Sequence, residues 1–494
     1  MFSMFKSIQY FNEECTEKFN LLEDEFIREP SDLAAYIYRI TEELHKVGIR
    51  MIQETLEDMD EMLNKSVIRK KKWVVDRHES KQLVTSLGTV NFQKTLFKNR
   101  ESGNREYLLD RLIHMESHER LTEDAVAGML KEAVQTSYRR GGEEMSLLDT
   151  VSKQTVMNKV HSLKFPQDKE ILKEKRYVKK LYIDADEDHL SLQYQKEKGD
   201  LVSGRYGRKN NTIIAKLVYV YEGIEEETPG SKRHKLINPH YFCSTSDDKD
   251  NYEFWKEISE WIDHHYDLGR IEKIYLNGDG GAWIKAGKDF IDGVITTLDE
   301  FHLQKYLSKL TVHLLDSQSD AISTLREIIR HKGKKEFKEY CKYLESYLKK
   351  SDKEGFKRMT KSSKYILDNW MEAKIRLGYR RALPGCSAEG HVSHVLSSRM
   401  SSRPMGWSRV GASKVAQLRT YYYNGGDMLE LVKYQRSELP LVSGEERTFF
   451  TPTEIMRSEQ NRHYELGKYM QSMSGTIDNR IKKHIWCSTH ITGL

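Results

Sequence analysis

The chain has 494 residues, 38% apolar and 31% charged, with a mean hydropathy of −0.70. At roughly 150 residues per domain that length predicts about three domains, and no run nears the ~18 uncharged apolar residues of a spanning helix, which argues against a membrane protein. Eighty basic against 75 acidic residues leave a net charge of only +5, so where the charges sit has to decide on nucleic acid.

The segment Met1–Lys6 leads into Glu13, Glu14 and Glu23, unlike a signal peptide. Five scattered cysteines (Cys15, Cys243, Cys341, Cys386 and Cys487) are odd in number and lack Cys-x-x-Cys spacing, which predicts a reducing cytoplasm. Residues 1–70 predict a helical N-terminal region suited to folding and dimerisation, with Leu33, Tyr36, Ile37, Ile40 and Leu44 at three- and four-residue steps. The basic run Arg69-Lys70-Lys71-Lys72 closes it. Residues 71–110 predict a small antiparallel β module from the runs Trp73–Val75, Leu83–Val90 and Phe92–Phe97, broken by polar and glycine turns.

Residues 111–175 predict a helix-turn-helix DNA-binding domain. Thr122 is the expected cap of a helix carrying Val126, Met129, Leu130 and Val134. After Gly141-Gly142, short helices are expected over Glu143–Leu148 and from about Ser152. Arg139, Arg140, Lys153, Gln154, Thr155, Asn158 and Lys159 would then face DNA. Any three-helix packing unit can write the same pattern.

From residue 176 the order becomes strand, strand, helix, strand, short helix, strand, which predicts an α/β core over residues 176–302. The strands are expected at Val178–Leu192, Asn211–Tyr221, Ile271–Leu276 and Phe290–Asp299, with a helix at Phe254–Tyr266. Residues 303–385 keep helical spacing and predict an all-helical insertion, interrupted by basic clusters at Arg330–Lys335 and Lys357-Arg358. Residues 386–435 predict closing helices, Ala388–Arg399 and Ser408–Tyr423, and residues 436–494 a less regular tail.

Carboxylates at the ends of adjacent strands, far apart in sequence, can hold divalent ions that want oxygen ligands. Asp279 follows a strand and is flanked by Gly278, Gly280 and Gly281, which permit a tight turn. An isolated Asp in such a turn also has an ordinary structural explanation. The glycines fail the dinucleotide fingerprint, and no phosphate-binding Gly-x-x-x-x-Gly-Lys run exists. Asp184 and Asp186 share a strand face. Glu389 lies on a helical face with Val392, Leu396 and Arg399, followed by Arg403, Trp407 and Arg409, residue types suited to phosphate contact and base stacking. His484-x-x-Cys487-x-x-His490 lacks the paired spacing of a structural zinc site.

Taken in order, Tyr182-Ile183-Asp184-Ala185-Asp186, Asn277-Gly278-Asp279-Gly280-Gly281-Ala282-Trp283-Ile284, Leu298-Asp299-Glu300-Phe301-His302 and Glu389-Gly390-His391-Val392-Ser393-His394, with Ser401–Ser408, resemble a bacterial insertion-sequence DDE transposase of the ISLre type, related to the Mutator superfamily. The resemblance spans nearly the whole chain. It implies an α/β RNase H-like catalytic core in which Asp186, Asp279 and Glu389 are catalytic and bind two Mg²⁺ (or Mn²⁺) ions. The helical insertion would lie between the last two acids. The family pattern favours Asp186 over Asp184, which stays open. Asp299 and His302 become supporting or DNA-contact candidates, as do Arg399, Arg403 and Trp407. The implied activity is binding of terminal inverted repeats, hydrolysis at element ends and joining of the 3′-hydroxyl to target DNA. The expected partners are duplex DNA and further copies of the chain, as a homodimer or higher assembly, with no membrane and in the nucleoid-associated cytoplasm. Two alternatives remain, a metal-dependent RNase H-fold nuclease and a non-catalytic transposase-derived repressor.

Overall fold

A computed structural model describes residues 10–116, 118–167, 172–194, 196–197, 211–246, 248–348, 350–379 and 388–437. Cys386, the His484–His490 run and all but the first two residues of the expected tail lie outside the described residues. The described chain falls into two compact units. The first holds residues up to Glu132 with Arg139–Ser152 and the chain from Arg436, and the second holds Ala133–Tyr138 and Lys153–Gln435.

The first unit starts with α1 (Thr16–Arg28) and α2 (Leu33–Lys65), the latter capped by Asp32, which accepts from the Ala35 amide at 2.9 Å. After α3 (Val67–Lys72), β1 (Trp73–Val84) and β2 (Thr89–Asn99) form an antiparallel hairpin, with the short β3 (Arg105–Glu106) beyond β2. Leu56, Met62 and Leu63 of α2 pack on Val90, Phe92 and Phe97. The polar stretch between Val75 and Leu83, expected to separate two strands, belongs to one long strand. Its side chains are mostly exposed, and apart from a bulge after Val75 its backbone keeps the ladder to β2.

Next come α4 (Leu108–Leu112), α5 (Glu123–Ala133) and α6 (Tyr138–Glu143). The helix expected at Glu143–Leu148 is therefore displaced one turn upstream. Gly141 and Gly142 are buried inside α6, so close packing accounts for them rather than a break. The following helix, α7 (Lys153–Ser162), belongs to the second unit, so the two helices expected to form one motif are divided between units.

The second unit continues with β4 (Lys180–Ser191), β5 (Thr212–Tyr221), a separate ribbon of β6 (Gly223–Glu226) and β7 (His234–Ile237), and β8 (His240–Thr245). Then follow α8 (Asn251–His265), β9 (Lys273–Gly278), α9 (Ala282–Lys285) and β10 (Val294–Leu298). Five strands make one mixed sheet in the order β10-β9-β4-β5-β8. β4, β5 and β8 pair antiparallel, while β9 and β10 run parallel to β4. Leu181, Ile183, Ala185, Val218, Val220, Ile274 and Leu276 cluster with Phe254, Trp255, Ile258 and Ile262 of α8. Residues one step along the strands point to the other face, among them Tyr182, Asp184, Tyr219, Tyr221, Tyr275 and Asn277.

The helical insertion comprises α10 (Glu300–Thr311), α11 (Gln318–His331), α12 (Lys334–Glu345), α13 (Lys353–Asp368) and α14 (Trp370–Gly378), around a core that includes Leu303, Leu307, Leu325, Phe337 and Ile366. The closing segment is α15 (Ala388–Val392), a π-helical turn at Ser393–Ser397, α16 (Ser398–Met400), α17 (Arg409–Tyr423) and α18 (Met428–Ser437). No helix among the described residues is long and apolar enough to cross a membrane.

Arg419 of α17 holds this segment together. It is 1% exposed, and its guanidinium donates to the carbonyls of Val395, His394 (2.7 Å) and Val134 (2.6 Å) and to Ser398 Oγ (2.9 Å). A buried guanidinium persists only when such acceptors surround it. Replacing Arg419 by Met strips donors from three carbonyls, and we expect a loss of about 3 kcal/mol in stability. Urea unfolding of the two proteins checks this; an unchanged midpoint would refute the role.

Candidate functional site

The register of three parallel strands builds the site. Asp184 of β4 lies opposite Asn277 of β9, and Thr297 of β10 lies opposite Asn277 on the other side. Two residues further on, Asp186 continues β4 while Asp279 and Asp299 each directly follow the last paired residue of their strand, close enough for their charges to act on Asp186. Two polar rows result, one closed and one open.

The closed row is a buried hydrogen-bond chain. Asp184, 1% exposed, accepts from Tyr219 Oη at 2.8 Å, Asn277 Nδ2 at 3.2 Å and Tyr221 Oη at 3.4 Å. Asn277 Oδ1 accepts in turn from Thr297 Oγ1 at 3.0 Å and Arg376 Nη2 at 2.6 Å. Arg376 stands on α14 and also donates from Nε to the Leu298 carbonyl at 2.9 Å. Asp184 is thus occupied by donors on two strands, β5 and β9, which separates it from Asp186.

The open row begins at Asp186, where the Glu187 amide donates to Oδ1 at 2.8 Å. Burial pushes the Asp186 carboxyl up to about 6; His302 counters this, while Asp279 and Asp299 reinforce it. Asp279 leaves β9 through Gly280, whose φ of +83° favours glycine and whose Cβ would fall 2.1 Å from Asn369 Oδ1. The Gly281 amide donates to Asp279 Oδ1 at 2.8 Å, and Tyr365 Oη donates to the Asp279 carbonyl. Asp299 caps α10 through the Phe301 amide at 3.1 Å, and its other oxygen meets His302 Nδ1 at 2.9 Å. That bond raises the His302 pKa against the effect of burial, and the charges of Asp186 and Asp279 add to it. His302 is therefore biased toward its protonated form beside the row.

Other expected site residues are placed differently. Glu389 is exposed in the first turn of α15, and the described residues contain no group of three or more His, Cys, Asp and Glu able to hold a metal ion. Asp186, Asp279 and Glu389 are thus not gathered into one ligand set. Arg399, expected to contact DNA, is buried, 5.0 Å from the Trp407 ring centre, with Nε donating to the Ala133 carbonyl at 3.3 Å. Trp407, expected to stack on bases, is also buried and gives its indole N–H to the Met400 carbonyl at 2.8 Å. Both belong to packing, because the Trp407 backbone pairs with Ser191 and Gln193 at the end of β4. Arg403 is exposed. Arg139, Arg140, Lys153, Gln154 and Asn158 are exposed, and Thr155 and Lys159 half-buried; Arg140 pairs with Glu144 at 2.7 Å, and Gln154 bonds Asn158 at 2.9 Å.

Asn277, Tyr365 and Arg376 were not singled out from the sequence. Asn277 shares the strand parity of Asp279 and was legible in principle. Tyr365 and Arg376 lie some ninety residues away in the insertion, and nothing local marks them.

The second unit is therefore a mixed α/β domain whose distinguishing feature is a row of acids along three parallel strands. Residues 31–437 match the model of UPF0236, an uncharacterised protein family, and the chain belongs to that family. One relative, a UPF0236 protein of Caldanaerobacter subterraneus subsp. tengcongensis whose name covers eleven loci, is 33% identical over 415 residues, or 84% of this chain and 83% of the relative. A second from that bacterium, UPF0236 protein TTE2489, is 33% identical over 421 residues, or 85% and 84% of the two chains. Among solved structures the Drosophila P element transposase strand transfer complex is similar over 73% of this chain and 88% of that chain, at 10% identity. Its TM-score of 0.22 is too low to bear on the fold.

Asp186 also fixes a pH dependence. Its folded pKa of about 6 lies above the ordinary 3.8, so its contribution to stability is fully present below about pH 4 and is lost as pH rises through 6. The expected loss is roughly 3 kcal/mol without divalent cation. Unfolding midpoints across this window, with chelator, should fall for the wild type and stay flatter for Asp186→Asn; parallel profiles would refute the assignment.

Proposed function

We propose that this chain is a DNA transposase of an insertion sequence, acting through an RNase H-like core. The observation that carries this reading is the juxtaposition of Asp186 and Asp279 by parallel register at the carboxyl edge of β9. The sheet order supports it, since three antiparallel strands are followed by two running parallel to the first, as expected of such a core. The multi-locus name of the Caldanaerobacter relative fits a mobile element present in many copies.

In this reading Asp186 and Asp279 supply hard oxygen donors for Mg²⁺ or Mn²⁺, an ion that keeps waters and takes substrate phosphate oxygens as further ligands. The raised pKa of Asp186 fits that use, because a bound cation would relieve the burial of its charge. The fit covers two carboxylates only. Glu389 is the proposed third, on a helix packed against β4, and is not in place. Divalent ions there would activate the attacking oxygen and stabilise the leaving one. The chain's own contribution is to set the two carboxylates side by side and to hold His302, through Asp299, within reach of both charges. The products would be a cut at the element end and the joining of its 3′-hydroxyl to target DNA, by an assembly of two or more copies.

The exposure of Glu389 favours one second reading, a DNA-binding repressor derived from a transposase. Labelled duplexes copied from the flanks of the gene, incubated with Mg²⁺ or Mn²⁺, distinguish the two. We expect metal-dependent cleavage and strand joining, reduced roughly 10³-fold in Asp186→Asn and Asp279→Asn with binding kept. Glu389→Gln should match them; cleavage that survives it removes Glu389 from the set. Nicks without joined product would indicate a nuclease, and specific binding without cleavage under either metal would establish the repressor.

A further inference from the structure

We propose that the outer face of α13 is a track for the phosphate backbone of duplex DNA, leading to the acid row. This rests on the proposed action at a DNA phosphodiester. Lys353, Lys357, Lys361 and Lys364 recur at four-, four- and three-residue steps, which places them in one stripe. All four are exposed, while Gly355, Met359, Ser362 and Ile366 turn the opposite face into the core. None of the four forms an ion pair among the described residues. The helix's two acids, Glu354 and Asp368, stand near its ends.

Such a stripe has no reason in helix stability. Like charges at i and i+4 repel, and alternation with Glu would serve solubility while stabilising the helix. An extended polyanion accounts for it. From Lys353 to Lys364 the stripe covers about 16 Å, the rise of roughly five phosphates of one strand.

Its position selects the polyanion. Tyr365, the residue after Lys364, stacks on Tyr306 with ring centres 3.6 Å apart and donates its hydroxyl to the Asp279 carbonyl. The end of α13 that carries Lys364 is therefore fastened to the Asp279 backbone, and the track would bring a duplex to the carboxylates. A lipid surface would have no use for acids at that place.

The test uses the full chain and a mixed-sequence DNA duplex, since phosphate binding needs no particular sequence. Anisotropy titrations over a range of salt compare the wild type, a variant with Lys353, Lys357, Lys361 and Lys364 all changed to Gln, and one with all four changed to Arg. The slope of log K against log salt should shrink by up to about 3.6 in the Gln variant and return in the Arg variant. An unchanged slope in the Gln variant overturns the track, as does a wild type that binds no duplex. A reduced slope without metal-dependent cleavage by the wild type upholds the track and defeats the transposase reading. Cleavage with an unchanged slope does the reverse.

Discussion

The parallel register of β4 with β9 and β10 is the constraint on which the rest depends. It stacks two polar rows across the same three strands, and each row would be costly alone. The first is made tolerable by donors: Asp184 is fully buried yet receives hydroxyl and amide hydrogens from β5 and β9. A one-residue slip of β4 would carry Asp184 and Asp186 into the apolar layer against α8, and the same slip of β9 would carry Asn277 there. The closed row thus pins the register that keeps the open row open.

The insertion is part of this arrangement and not a decoration on it. Arg376 reaches from α14 to Asn277, Tyr365 from α13 to the Asp279 backbone, and Asn369 packs where a side chain on Gly280 would stand. Three successive places in the insertion thereby fix the loop that carries Asp279. A change in how the helices pack would be felt at the acid row without any contact to it.

Residue type was a poor guide to role in the closing segment. Arg399 and Trp407 have the chemistry of nucleic-acid contacts, yet burial converts them into a packed pair, while Arg419 spends its guanidinium on backbone carbonyls around a π-helical turn. A guanidinium has five N–H donors and serves a carbonyl cage as readily as a phosphate. The environment chooses between them.

The sequence by itself determined the kinds and order of the elements: a helical start, a β module, the strand series of the core, a helical insertion and closing helices. Hydrophobic period and turn residues are local, and the pattern survived in nearly every case. Acids at strand ends and the glycines beside them also brought forward Asp279 and the pair Asp184 and Asp186, whereas Asp299 and His302 were marked only by the resemblance of their motif to a known family. Tertiary structure alone decided that Asp184 is consumed by tyrosines and Asn277, that Gly141-Gly142 lies inside a helix, and that Glu389 stands apart from the other acids. Those outcomes depend on which strands pair and in what register, on what covers a helix face, and on donors ninety residues away. Such long-range pairings leave no periodic trace in the chain.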